Sequence, residues 1–150
     1  MAVQNAYDSD LVIREARVIR PVPLSAAIQA AMTDAQRNSP YQLGAAISYR
    51  STVVSTGFNR RKTHPRSPHQ YKWLHAEMDA IIKARRNPID GLTMYVVRIR
   101  KDGTYGNSKP CRECVQAIRD AGLKTVVFCQ RDPMYPSVLE WFQWNVRAKS

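Results

Sequence analysis

Two short motifs lie far apart in this chain and have to meet, which rules out any fold that keeps them separate. One is His75-Ala76-Glu77 and the other is Pro110-Cys111-Arg112-Glu113-Cys114. An imidazole and two thiolates are donors that zinc favours, and three protein ligands leave the fourth corner of a tetrahedron open for water. That open corner distinguishes a site for chemistry from a purely structural one. Cysteines spaced i and i+3 at the opening of a helix are surface neighbours and grip one ion. Glu77 is surplus to the ligand set. Two residues past His75, it would point about 200° away from it on a regular helix. The pair therefore works only if His75 sits where the chain is still entering the helix, so that Glu77 leans over the open corner without binding the ion.

The remaining pattern says how the motifs meet. Residues 11–19 read as a short basic helix, with Arg14, Arg17 and Arg20 recurring at threes, stopped by Pro21 and Pro23. A second helix is predicted over 25–38, where Ala27, Ile28, Ala31, Met32 and Ala35 share helical spacing. Residues 43–49 and 53–58 alternate as an antiparallel hairpin. Helices then follow from His75 to about 87 and from Cys111 to Gly122, separated by an apolar strand over 92–99 and followed by a short buried strand over 126–129. Strand, helix, strand, helix, strand makes two right-handed crossovers, which bring both helix N-termini to the carboxyl edge of one sheet, where ligands of α/β sheets characteristically bind. Over 136–146, Val138, Leu139, Phe142 and Val146 fall on one helical stripe, with Trp141 and Trp144 partly off it. Those tryptophans read as ordinary packing, a subunit interface or contacts to a longer substrate.

Charge narrows the partner. Lys and Arg number 23 against 12 Asp and Glu, giving +11, which points to a phosphorylated or polyanionic ligand or to a merely solvated surface. Arg60, Arg61, Lys62, Arg66 and Lys72 form an acid-free run that leads into His75. Arg60, Arg61, Lys62 and Arg66 are candidate contacts to a phosphate or nucleic-acid backbone, with a hydrated loop as the alternative. The loop over 60–74 is long for a compact domain, and such loops are commonly functional. His64 and His69 stay outside the ligand set, while Tyr71 and Trp73 read as base-stacking or loop-sealing groups. Asn59, just past a strand, is a turn former or an amide for a sugar hydroxyl. Cys129 has no partner once Cys111 and Cys114 are committed, which argues for a reducing compartment. No stretch approaches the roughly 18 apolar residues of a membrane span, and no leader is evident at residues 1–10. The expectation is a cytoplasmic protein with no membrane association.

His75-Ala76-Glu77-Met78-Asp79-Ala80-Ile81 and Ser108-Lys109-Pro110-Cys111-Arg112-Glu113-Cys114 resemble the two motifs of the zinc-dependent cytidine and deoxycytidylate deaminase superfamily. The resemblance covers roughly residues 25–130. It implies a three-layer α/β/α fold, cytidine deaminase-like, whose mixed sheet has one antiparallel strand and helices on both faces. Residues 1–23 become an N-terminal extension and 24–150 a single deaminase domain, with a core of about 25–130 and a C-terminal helix over about 136–147. One zinc ion per chain is implied, held by His75, Cys111 and Cys114, with Glu77 as catalytic proton shuttle and Asn59 and the Ala76 backbone as substrate contacts. The implied reaction converts the cytosine of a nucleoside or nucleotide to uracil with release of ammonia, in a homo-oligomer. Two alternatives stand beside it: a deaminase acting on a base within RNA or single-stranded DNA, tRNA adenosine included, and a non-catalytic zinc module that binds nucleic acid.

Overall fold

A computed structural model describes residues 11–33, 42–60, 74–85 and 87–147. Seven strands form one sheet: β1 (Ile13–Glu15), β2 (Gln42–Tyr49), β3 (Thr52–Phe58), β4 (Thr93–Ile99), β5 (Tyr105–Gly106), β6 (Thr125–Arg131) and β7 (Leu139–Asn145). Their order across the sheet is β1-β7-β6-β4-β2-β3, with β5 paired to β4. The described residues also form three helices: α1 (Pro21–Ala31), α2 (Ala76–Ala84) and α3 (Arg112–Ala121). None of the described helices is long and apolar enough to cross a membrane.

Apolar alternation explains the layering. Ala45, Ile47, Met94, Val96, Val126, Phe128 and Trp144 face α2 and α3 and pack with Ala76, Ala80, Ile81, Val115 and Ile118. The next residues along the same strands, Ala46, Tyr95, Val97 and Val127, face the other way onto Ala27 and Ala31 of α1. Strands buried on both faces have no polar side to show, hence their near-continuous apolar runs. The expected three layers are present.

Close approach is what the glycines permit. Gly44 lies so near α1 that a Cβ would run into the Ala27 carbonyl oxygen and the Ala31 amide, and a Cβ on Gly57 would meet the Ala76 carbonyl oxygen and the Ala80 amide of α2. Gly57 thereby lets the first turn of α2 lie directly against the end of β3.

Strand directions differ from the expectation of one antiparallel strand. β4 and β6 are parallel, pairing Thr93 with Thr125 through Tyr95 with Val127. β2 is antiparallel to both β3 and β4, β5 to β4, β7 to β6 and β1 to β7. Three strands thus oppose the other four, because the β2–β3 and β6–β7 connections are too short for crossovers and force a reversal. β3 and β4 still run the same way with β2 between them, so the crossover argument for α2 survives.

Both ends of the chain correct the sequence reading. The helix expected over 136–147 is strand β7, paired along its length with β6. Phe142, Trp144 and Val146 pack into the core on one side, while Trp141 meets Tyr105 edge to face on the other, with ring centroids 5.3 Å apart. That is a period of two, which the helical stripe concealed. The helix expected over 11–19 is strand β1, whose partner is β7. Pro21 and Pro23 do not stop a helix but open α1, where a missing N–H costs nothing. With Leu11 in the core, residues 11–23 belong to the sheet and helix layers and are not an appendage.

Candidate active site

Both metal-ligating segments sit at helix entrances. His75 is the N-cap of α2, with extended backbone at φ −69° and ψ 152°, and Cys111 is the N-cap of α3, at φ −75° and ψ 171°. This meets the condition that lets His75 and Glu77 face a common point. Neither His75 nor Cys111 makes the side-chain hydrogen bond of a helix cap; instead the imidazole and the thiol face each other across the gap between the two helices. The helix N-termini also favour the negative charge of thiolates.

The ligand atoms of His75, Cys111 and Cys114 all lie within 4.8 Å of one another. His75 Nδ1 is 3.3 Å from the Cys114 sulfur and 3.4 Å from the Cys111 sulfur. Zinc bonds of about 2.0 Å to nitrogen and 2.3 Å to sulfur imply a tetrahedral edge of about 3.6 Å. The donor set and its spacing therefore fit zinc, with Nδ1 as the ligating nitrogen.

Protons in this cluster are unevenly held. The Cys114 thiol hydrogen-bonds to the Cys111 sulfur, which, with help from His75, holds the Cys111 thiol down at about 4. The same bond, together with burial, keeps the proton on Cys114 and pushes its pKa well up. Hydrogen bonding to Cys111 raises His75 against the opposing effect of burial. Glu77, 5% exposed, is pushed up chiefly by burial, which its own backbone N–H and His75 partly offset. A carboxyl raised in this way moves toward the range in which one side chain can both accept and donate a proton.

Ser108 and Asp79 are buried polar groups bonded across elements beside the site, and sequence reasoning singled out neither. β4 and β6 stop pairing after Tyr95 and Val127, and the Ser108 hydroxyl fills the gap. It donates to the Val96 carbonyl at 2.8 Å and accepts the Cys129 N–H at 3.0 Å. The Ser108 N–H also donates to the Cys129 carbonyl at 2.9 Å, pinning the approach to Pro110 and Cys111 to the sheet. Asp79 is fully buried and accepts from the Phe58 N–H and from Arg60 and Lys83. In the sequence, each is one polar residue beside a motif, and the partners that define it are distant.

The other candidates divide clearly. Asn59 is buried at the exit of β3, and its side-chain oxygen has no partner among the described residues. Ala76 is buried as the first residue of α2, against Gly57. Arg60, a candidate phosphate or nucleic-acid contact, places a guanidinium nitrogen 2.6 Å from Asp79. Arg61, Lys62 and Arg66, along with His64, His69, Tyr71 and Trp73, lie outside the described residues. Cys129 is a buried thiol 3.3 Å from the Gly106 carbonyl, and burial raises its pKa.

A family model described as the cytidine and deoxycytidylate deaminase zinc-binding region matches residues 23–130, most of the chain. The chain belongs to this deaminase family. Deoxycytidylate deaminases of Enterobacteria phages T2 and T4 are each 39% identical to it over 59 residues, or 38% of this chain. The match spans only 26% and 25% of the two phage enzymes. Among solved structures, cytidine deaminase from Burkholderia pseudomallei gives a TM-score of 0.55 at 22% identity, covering 74% of this chain and 84% of that one. The apo dCMP deaminase of cyanophage S-TIM5 gives 0.50 at 21% identity, covering 71% and 79%. These likenesses establish the deaminase-type fold, and the family is a zinc-binding one; His75, Cys111 and Cys114 form a possible metal site within the matched residues.

Proposed function

We propose that this member of the family is a zinc-dependent enzyme that hydrolytically deaminates the cytosine of a nucleoside or nucleotide. The observation that carries the reading is the convergence of His75, Cys111 and Cys114 on one point with the buried carboxyl of Glu77 beside it. Its relationship to deoxycytidylate deaminases supports the choice of base.

Zinc would be held by His75, Cys111 and Cys114 and would supply Lewis acidity that makes a water molecule easier to deprotonate. Glu77 accepts a proton from that water and delivers protons to the ring nitrogen and then to the departing amine. One carboxyl serves first as base and then as acid, which its raised pKa suits. In the net reaction the water oxygen bonds to C4, the bond from C4 to the exocyclic nitrogen breaks, and ammonia leaves. The Asn59 amide, buried with its oxygen unpartnered among the described residues, is suited to a sugar hydroxyl. The backbone of Ala76, in the first turn of α2, would help hold the base, as the family resemblance implies.

The assay is ammonia release by zinc-loaded protein on cytidine, deoxycytidine, CMP, dCMP and short single-stranded oligonucleotides. Turnover of a monomer is expected, whereas activity confined to oligonucleotides would overturn the substrate class. That second class, a base within a polynucleotide, is favoured only by the net charge of +11. Placement in the cytoplasm and assembly as a homo-oligomer belong to the same proposal.

A further inference from the structure

Asp79 has no part in the proton chemistry, yet it is the most completely buried acidic group of the described residues, at 0% exposed. It lies on α2 one turn beyond His75, and its partners are drawn from both sides of Asn59. One carboxylate oxygen accepts the Phe58 N–H at 3.1 Å, and the other accepts Arg60 at 2.6 Å. Lys83, one turn further along α2, closes the set at 2.8 Å. Both neighbours of Asn59 in the chain are therefore tied to the helix that carries Glu77. Asn59 itself donates its backbone N–H to the Leu43 carbonyl at 3.2 Å, while its side-chain oxygen stays buried and unpartnered among the described residues. Arg60 in turn exchanges both backbone bonds with Leu74, at 3.1 and 2.8 Å, and Leu74 leads directly into His75.

We infer that Asp79 is a positioning residue, which locks the corner at Phe58, Asn59 and Arg60 onto α2 and so aims the Asn59 amide at the substrate held over Glu77. The inference rests on the deaminase reading, since that reading gives the Asn59 amide its ligand. A carboxylate kept only for stability would be a weak choice here, because a buried ion pair is commonly no better than apolar packing of the same size. What an apolar side chain cannot do is hold the Phe58 amide and the Arg60 guanidinium in one fixed geometry. Arg60 then contributes through its grip on Asp79, not as a free phosphate contact.

The test is a double-mutant cycle on dCMP and cytidine, with zinc content measured for every variant. Asp79→Asn keeps an acceptor for Phe58 but loses the charge that holds Arg60. It is expected to raise KM about tenfold, on the scale of one misplaced hydrogen bond, with kcat within about threefold and zinc binding unchanged. In an Asn59→Ala background the same substitution should leave KM unmoved, because no amide remains to be aimed. Arg60→Gln breaks the tie from the other side and should raise KM in the same way, so the test does not depend on one variant folding. An unchanged KM, effects of Asp79→Asn and Asn59→Ala that multiply independently, or a defect confined to zinc content would overturn the inference. Turnover of neither dCMP nor cytidine by the zinc-loaded parent protein would instead sink the deaminase reading. Amide exchange would then decide on Asp79. Faster exchange at Asn59, Arg60 and Leu74 in Asp79→Asn, with β4 unchanged, supports the positioning role, and unchanged exchange at those three amides overturns it.

Discussion

Glu77 and the two cysteines differ in how firmly they hold protons, and that difference makes the chemistry testable one side chain at a time. Glu77→Gln preserves shape and burial but cannot accept a proton. It should lower kcat by about 10²–10⁴-fold or more while metal analysis still finds zinc bound. A variant with substantial turnover would remove Glu77 from the mechanism. Loading the apoprotein with zinc should release protons, because metal ligands must be deprotonated. Near neutral pH, Cys111, at about 4, is already a thiolate. Cys114 still holds its proton, and hydrogen bonding to Cys111 shifts His75 toward its protonated form. Zinc affinity should therefore fall as pH falls, with about one proton released per ion from Cys114 and a further contribution from His75 that grows as pH is lowered. Calorimetry in buffers of different ionisation enthalpy reads that number. The convergence of His75, Cys111 and Cys114 was legible in the sequence because each motif carries zinc-type donors and the two crossovers bring both helix entrances to one sheet edge. Asp79 and Ser108 were not, since their meaning lies in bonds to residues many positions away, such as Phe58 and Cys129.

Among the elements, the contact of β3 with α2 is the most demanding. Gly57 leaves no room for a methyl group against the α2 backbone, so Gly57→Ala must push the helix that carries His75 and Glu77 away from the sheet. A loss of about 1–3 kcal/mol or more is expected from overpacking, visible as a lower Tm together with weaker zinc retention. Ser108→Ala leaves the Val96 carbonyl and the Cys129 N–H without their partner. Chemical denaturation should show a loss of about 1–3 kcal/mol. Elements with a motif or strong turn chemistry were readable. The β2–β3 hairpin, α2, α3 and β4 lie within a residue or two of their predicted bounds, apart from the C-terminal end of α2. β7 was misread because Val138, Leu139, Phe142 and Val146 satisfy a helical stripe while Phe142, Trp144 and Val146 satisfy strand alternation. Over so short a stretch the two periods compete, and the aromatic content that favours a strand was the better guide. β1 was misread for a related reason: it has three residues and is held by its partner β7, not by its own pattern.

For the whole molecule, one sheet organises everything the reaction needs. β3, β4 and β6 run the same way, so the chain leaves each at a common edge, and α2 and α3 begin there with their ligands at the N-caps. The common sheet edge followed from the two crossovers, and the three-layer fold class from the family resemblance. The extra antiparallel strands did not, because strand order across a sheet is a long-range property that local pattern does not encode. The charge of +11 also acts at this scale. A single nucleotide phosphate should give KM only a mild salt dependence, whereas a polynucleotide track would make binding fall steeply as salt rises. The most direct test is turnover of dCMP in ¹⁸O-labelled water, followed by mass analysis of the nucleotide product. Zinc-loaded protein should yield a uracil nucleotide carrying the label, and Glu77→Gln at the same zinc content should yield almost none. Zinc-loaded protein that forms no labelled product from dCMP or any other cytosine monomer, or a Glu77→Gln variant as active as its parent, would show that the site does not perform this hydrolysis.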